Sequence, residues 1–178
     1  EETGKVQIVA LDKTGTITNG EPVVTDMVPA EGVTEESLLA LAASLEKRSE
    51  HPLAKAILKY VGEQQLIVED VSEFEALPGN GLTAVRNGVK LAGGNYAFIS
   101  TQTEVSEDLL KQSEVLAEQG KTPMFFAENG RLAGIIAVAD TMKEDSRQAV
   151  SELRNMGIRV VMLTGDNPAT ARVIANQV

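Results

Sequence analysis

A nearly unbroken apolar run, Val6-Gln7-Ile8-Val9-Ala10-Leu11, ends in Asp12-Lys13-Thr14-Gly15-Thr16. No other stretch constrains the fold as much. A short apolar run without alternation predicts a parallel strand buried on both faces of an α/β sheet. Ligands of open α/β sheets bind at the carboxyl ends of the strands, which is where Asp12 falls. A carboxylate in that place can attack phosphorus and form an acyl phosphate. Lys13 adds positive charge beside it, Gly15 permits a tight turn, and Thr14 and Thr16 offer hydroxyl and amide donors. Carboxylate and phosphate repel each other, so a magnesium ion is expected with them. The simpler reading is that Asp12 caps a turn after a strand.

The chain's 178 residues suit one or two domains with a real core, and 43% apolar with 24% charged residues is ordinary for a globular protein. A net charge of −10 opposes nucleic-acid binding, and 3% aromatic content leaves few platforms on which bases could stack. The absence of cysteine excludes disulfides and thiolate metal sites within these residues. No segment approaches roughly 18 consecutive apolar residues and no signal peptide opens the chain, so no direct membrane contact is expected of these residues.

Along the chain an α/β piece gives way to an α+β piece and then returns. Val24 to Gly32, punctuated by Pro22, Pro29 and Gly32, reads as a strand or connection leaving the first piece. Thr34 is an expected N-cap, with Leu38, Leu39, Ala42 and Leu45 along one face of the helix that follows. Pro52 opens a second helix carrying Leu53, Ala56, Ile57, Tyr60 and Val61 at helical spacing. Asn87-Gly88 and Asn129-Gly130 each sit between strand-like runs and predict hairpins. A helix from about Ser106 to Glu118, closed by Gly120, lies between them. The middle is therefore expected to be an antiparallel sheet with helices packed on one side. Lys143 to Met156 reads as a helix stopped by Gly157, followed by a buried strand from Ile158 to Leu163. The strand ends in Thr164-Gly165-Asp166, and Asn167-Pro168 opens another helix. Two strand tips of one parallel sheet can converge on one phosphate, with Thr164 and the Gly165 amide as donors.

Asp12 to Thr16 resembles the phosphorylation signature of the P-type ATPases, cation pumps with a haloacid-dehalogenase-like catalytic core. The resemblance implies an α/β fold: a partial haloacid-dehalogenase-like parallel sheet, with an inserted α+β nucleotide-binding domain built on an antiparallel sheet. The implied division is residues 1–20 and 139–178 for the phosphorylation domain and 21–138 for the nucleotide-binding domain. Related phosphatases usually carry a second aspartate two residues after the nucleophile. Thr14 stands there, which disfavours a soluble phosphatase or phosphotransferase of the haloacid-dehalogenase type, the alternative reading. Thr164-Gly165-Asp166 resembles the family's second phosphate-contact motif. Asp12, Lys13, Thr14, Thr164, Gly165 and Asp166 are thus the expected catalytic group, with the Asp12 carboxylate and the Thr14 carbonyl on the magnesium ion.

Ser49-Glu50-His51-Pro52-Leu53-Ala54 is similar to the signature of the heavy-metal-transporting branch, in which the histidine positions ATP. His51 is the only histidine in the chain. Residue by residue, the resemblance assigns Glu46 to the adenine amino group, Pro78-Gly79-Asn80-Gly81 to a glycine loop beside the nucleotide, and Asn95 to support of the site. Each also has a plain reading. Glu46 could be a solvated helix charge, His51 a surface residue, the glycines a tight turn and Asn95 a helix cap.

The implied function is the ATP-binding and phosphorylation portion of a heavy-metal pump, copper favoured over zinc or cadmium. Its cofactors would be ATP and Mg2+, and its partners the transmembrane and actuator domains of the same parent chain. It would be a cytoplasmic portion of an integral membrane protein. Glu21 to Pro22 and Val138 to Asp140 are the expected hinges, with Asp140 anchoring by hydrogen bonds. Family members carry a further lysine and a Gly-Asp-Gly-x-Asn-Asp motif downstream of Thr164, and the residues to Val178 contain neither. The expectation is therefore a chain that binds ATP without turning it over.

Overall fold

The computed structural model describes residues 6–164 and 168–177. The chain runs through β1 (Ile8–Asp12), a wide turn (Lys13–Ile17), β2 (Thr18–Pro29), α1 (Glu35–Glu46) and α2 (Pro52–Glu63). Then come β3 (Ser72–Leu77), β4 (Gly81–Arg86), β5 (Val89–Gly94), the short α3 (Tyr96–Ile99) and α4 (Glu107–Glu118). It finishes with β6 (Thr122–Glu128), β7 (Arg131–Met142), α5 (Ser146–Asn155), β8 (Arg159–Leu163) and α6 (Pro168–Gln177). No described helix is long and apolar enough to cross a membrane.

These strands form two sheets among the described residues. β1 pairs in parallel with β8, and the register sets Asp12 opposite Leu163. The other six strands are antiparallel in the order β2-β7-β6-β5-β4-β3. Local chemistry accounts for many of the boundaries. Thr34 Oγ1 accepts from Ser37 N at 3.1 Å and starts α1, and Ser106 Oγ accepts from Leu109 N at 3.3 Å and starts α4. Asn87 and Gly88 have φ of +51° and +80°, and Asn129 and Gly130 have +50° and +71°. Two consecutive positive φ angles make the turns whose twist suits a two-residue hairpin. Pro22 and Pro29 lie in β2, at the sheet edge, where a missing N–H costs no ladder bond.

The structure departs from the sequence reading in four places. Helices cover the antiparallel sheet on both faces, not one. Met124, Phe126, Ile136 and Val138 share a core with α1 and α2, while Phe125, Ala127, Ile135 and Ala137 share another with α3 and α4. Successive residues of a strand point to opposite faces, so the unbroken apolar stretches of β6 and β7 supply both cores at once. The parallel pair, by contrast, is not buried on both faces: Ile8 is 57% exposed and Leu163 55%. With two strands paired among the described residues, the alternation of β1 and β8 leaves one set of side chains in solvent. β2 begins at Thr18 and not near Val24, because Thr18 and Pro22 pair with Met142 and Asp140. Finally, α5 begins at Ser146 and not at Lys143. The preceding residues turn back to the Asp12 loop, and Lys143 N donates to Ile17 O at 3.0 Å.

The expected hinges, Glu21–Pro22 and Val138–Asp140, lie against each other inside the β2–β7 ladder. The register shifts between Thr18 and Pro22, at Gly20 with φ of +76°, so the irregularity is a bulge within paired strands and not a free connection.

Leu38 is fully buried at the α1 face of this sheet. Leu38→Ala is expected to lower unfolding free energy by about 3 kcal/mol, read from urea denaturation with an unchanged slope.

Candidate functional site

Two places bring the sequence-derived residues together. The first is the turn after β1. Asp12 keeps extended dihedrals (φ −66°, ψ 144°), and Gly15 has φ of +78°, which a side chain would resist. Asp12, Thr14, Gly15 and Thr16 are exposed, whereas Lys13 is buried at 7% exposure. The turn is braced from β7 and the segment after it. Lys143 Nζ donates to Gly15 O at 2.6 Å and Ser146 Oγ to Ile17 O at 2.7 Å. Thr18 Oγ1 lies within hydrogen-bond reach of Lys13 O, at 3.0 Å, and of the Asp140 carboxylate, its one proton shared between these two acceptors, and that carboxylate also accepts from Gly20 N at 3.0 Å. Asp140 therefore does make the hydrogen bonds expected of it. Thr18, Lys143 and Ser146 went unnoticed in the sequence, since their partners are local only after folding.

Because Asp12 is paired with Leu163, Thr164 follows immediately beside it. The two strand tips are adjacent, as a shared ligand at the carboxyl end of a parallel pair requires. Gly165 and Asp166 lie outside the described residues. The described residues contain no group of three or more His, Cys, Asp or Glu side chains arranged for a metal. Asp12 and the Thr14 carbonyl offer two oxygens. That donor set fits magnesium only in the manner in which the ion is held by one or two carboxylates, with phosphate and water completing the shell.

The second place is a cavity of about 640 Å³ between the α1–α2 turn and strands β3 to β6, within the range of small-molecule sites. Glu46, His51, Gly79, Gly81 and Asn95 all line it. Glu46 ends α1 and is 2% exposed. Burial pushes its carboxyl up to about 7, against a Ser49 hydrogen bond that favours the charged form. His51 is exposed and caps α2, its Nδ1 accepting from Leu53 N at 3.2 Å. Ser49 links the two, its N donating to Glu46 O at 2.9 Å and its Oγ accepting from His51 N at 3.3 Å.

Asn95 does two jobs. Its Oδ1 accepts from Phe98 N at 2.9 Å to cap α3, and its Nδ2 donates to Gly79 O at 2.9 Å to tether the glycine loop. The two glycines of that loop differ in kind. Gly79 has φ of +77°, and a Cβ there would meet nothing within 4 Å. At Gly81 a Cβ would lie 2.1 Å from Gly93 O and 2.8 Å from the Phe98 ring. Gly81 is thus required by close strand packing on the protein side. Gly79 is required by its turn and leaves open space. Sequence reading missed Phe74, Leu77, Leu82, Pro123 and Met124, which give the cavity its apolar walls. β3 shifts register between Ser72 and Glu75 and neither β3 nor β4 alternates in burial, so no simple period marks Phe74, Leu77 and Leu82 in the sequence.

The geometry can be set beside known proteins. A family model described as haloacid dehalogenase-like hydrolase matches residues 6–178. The chain belongs to the haloacid dehalogenase-like hydrolase family. Among curated relatives, a copper-exporting P-type ATPase of Staphylococcus saprophyticus is 46% identical over all of this chain, which spans 22% of that protein. This haloacid dehalogenase-like chain is thus homologous to about a fifth of such a pump. Among solved structures, a zinc-transporting PIB-type ATPase in its E2.Pi state superposes with a TM-score of 0.82 at 37% identity, covering 98% of this chain and 28% of that one. The N-domain of a copper-transporting P-type ATPase matches with a TM-score of 0.56 at 26% identity, covering 67% of this chain and 99% of that one. The fold is accordingly a haloacid dehalogenase-like α/β core carrying a P-type ATPase N-domain architecture.

Gly81→Ala is expected to unfold the protein at markedly lower urea than Gly79→Ala, which pays mainly for its left-handed backbone, about 1 kcal/mol. Equal midpoints for the two would contradict the contact geometry. Glu46 supplies a pH test. Its folded value, about 7, lies above the ordinary carboxyl value of 4.5. The contribution of Glu46 to stability is then greatest below 4.5, falls as pH rises toward 7, and stays reduced above it. Glu46→Gln should abolish that slope and exceed the wild type by up to about 3 kcal/mol above neutrality, measured by urea unfolding across the pH range.

Proposed function

We propose that this chain is the ATP-binding and phosphorylation portion of a heavy-metal-transporting P-type ATPase. Asp12 accepts the γ-phosphate, and the cavity around Glu46 and His51 holds the nucleotide. One observation carries the reading: Glu46, His51, Gly79, Gly81 and Asn95, scattered along the sequence, line a single cavity in a chain whose Asp12 ends a parallel strand. The apolar walls suit the faces of a purine, and the buried carboxyl suits an edge that donates hydrogen bonds.

In this reading residues 1–20 and 139–178 form the phosphorylation domain and 21–138 the nucleotide-binding domain. The likeness of a separate N-domain to two thirds of this chain supports that division. Asp12 attacks the γ-phosphorus in line, the bond from that phosphorus to ADP breaks, and an aspartyl phosphate forms. Lys13, Thr14, Thr164, Gly165 and Asp166 surround the transferring group. Magnesium, when bound through Asp12 and the Thr14 carbonyl, neutralises charge on the phosphates. The phosphorylated state then drives metal movement through transmembrane helices, with the actuator domain of the same parent protein as a further partner, and this portion faces the cytoplasm. Copper is favoured by the name of the 46% identical relative, while the zinc-transporting structure at 37% keeps zinc open.

The test is a titration of isotope-labelled protein with magnesium-free ATP, followed by amide shifts. Shifts are expected at Glu46, His51, Gly79, Gly81 and Asn95. Shifts confined to the surroundings of Asp12 would sink the assignment of the cavity. His51→Gln should weaken ATP binding about tenfold, near 1.4 kcal/mol, and unchanged affinity would remove His51 from the site.

A further inference from the structure

The turn between α1 and α2 carries two consecutive cations, Lys47 and Arg48, and the fold treats them differently. Lys47 is committed. Its Nζ lies 2.6 Å from Asp70 Oδ1, an ion pair that draws it toward the connection between α2 and β3. Asp70 also feels the charge of Arg48, but the lysine holds its carboxylate, and the Arg48 side chain makes no ion pair or hydrogen bond among the described residues. Arg48 instead lines the cavity of Glu46 and His51, the only lysine or arginine among the described residues to do so. Burial grades that lining. Glu46 is almost wholly buried, whereas Arg48 and Glu50 are exposed and therefore stand at the rim. Such a cavity sorts a ligand: a flat, weakly polar body goes in against the apolar walls, and a charged part stays at the rim where water still reaches it. A nucleotide divides in that way. Its phosphates would approach an acidic Glu50 on a chain of net charge −10, so one uncommitted cation at the rim decides whether they meet attraction or repulsion.

We propose that Arg48 takes the phosphate chain of the nucleotide bound in this cavity, its guanidinium fork bridging phosphate oxygens at the rim while the base lies against the apolar walls. The inference rests on the nucleotide-binding reading of the cavity and adds to it a residue that has no part in holding the base. A guanidinium suits the task better than an ammonium, because its planar fork offers parallel N–H donors to a phosphate and it is more weakly hydrated. Lys47 is no substitute while Asp70 engages its ammonium. The backbone around Arg48 is also braced: Ser49 N donates to Glu46 O at 2.9 Å, which ties the phosphate contact to the turn that carries Glu46 and His51.

The experiment measures dissociation constants of magnesium-free adenosine, AMP, ADP and ATP from amide shifts of this isotope-labelled chain, as wild type, Arg48→Met and Arg48→Lys. Methionine keeps an unbranched apolar stem and removes the charge. Arg48→Met is expected to weaken ATP binding about tenfold at low salt and to leave adenosine within about twofold of the wild type. Arg48→Lys should recover about half of that loss on a logarithmic scale, since the charge returns without the fork. On ATP the gap between wild type and Arg48→Met should shrink to about threefold in roughly 0.5 M sodium chloride, because salt screens a rim charge and leaves apolar walls untouched. An equal loss across adenosine, AMP, ADP and ATP would make Arg48 a residue that merely shapes the cavity, and overturns the proposal. Unchanged ATP affinity in Arg48→Met also overturns it and leaves the nucleotide reading standing. Wild-type protein that binds neither adenosine nor ATP removes that reading and this inference together.

Discussion

The Asp140 carboxylate, accepting from Thr18 Oγ1 and Gly20 N, is the join on which the rest of the molecule depends. It fixes the start of β2 against the end of β7, more than a hundred residues away, at the point where their ladder changes register. Hydrogen bonds to a charged group contribute about 1.5–3 kcal/mol each, enough to hold a bulge in paired strands. The same Thr18 hydroxyl reaches Lys13 O, so the join also closes the Asp12 turn. One ladder thus sets the shape of the exposed aspartate loop at one end and carries the first two strands of the six-stranded sheet at the other.

The cavity depends on a different constraint, the close approach of β4 and β5. Gly81 pairs with Gly94 and Leu82 with Gly93, and a Cβ at any of the three glycines would meet backbone or side-chain atoms below 3 Å. This bare corner of the sheet draws the glycine loop toward Asn95, whose amide then holds Gly79 O. Polarity is divided accordingly. The sheet supplies apolar walls, and the end of α1 with the turn after it supplies the charged and titratable groups Glu46, Arg48, Glu50 and His51, so one short segment sets the cavity's chemistry.

Features resting on neighbouring residues could be read from the sequence. The Thr34 and Ser106 caps, Pro52 opening α2 and both Asn-Gly hairpins follow from side-chain chemistry or φ preference within four residues. The five residues of the cavity were nameable through a family resemblance, but their convergence was visible only in the fold. Lys143 bonding Gly15 O across 128 positions has no local signature. The two-faced burial of β6 and β7 was present in Met124-Phe125-Phe126-Ala127 and Ile135-Ile136-Ala137-Val138. Two Asn-Gly turns suggested a half-exposed meander, and the run length, which argues for burial on both sides, carried more weight than the turns did. Conversely, the apolar run of β1 overstated its burial, because composition reports what a strand could pack against and not how many strands stand beside it.

The cap that His51 makes on α2 has a consequence for the imidazole itself. Accepting from Leu53 N commits Nδ1 to the backbone, so the neutral ring carries its hydrogen on Nε2. Of the two nitrogens, only Nε2 is left to a visitor, and it arrives as a donor. A metal seeking Nδ1 would first have to displace the Leu53 amide from it. The fold has thereby chosen one tautomer of a side chain that in solution samples two, and it does so with a helix end.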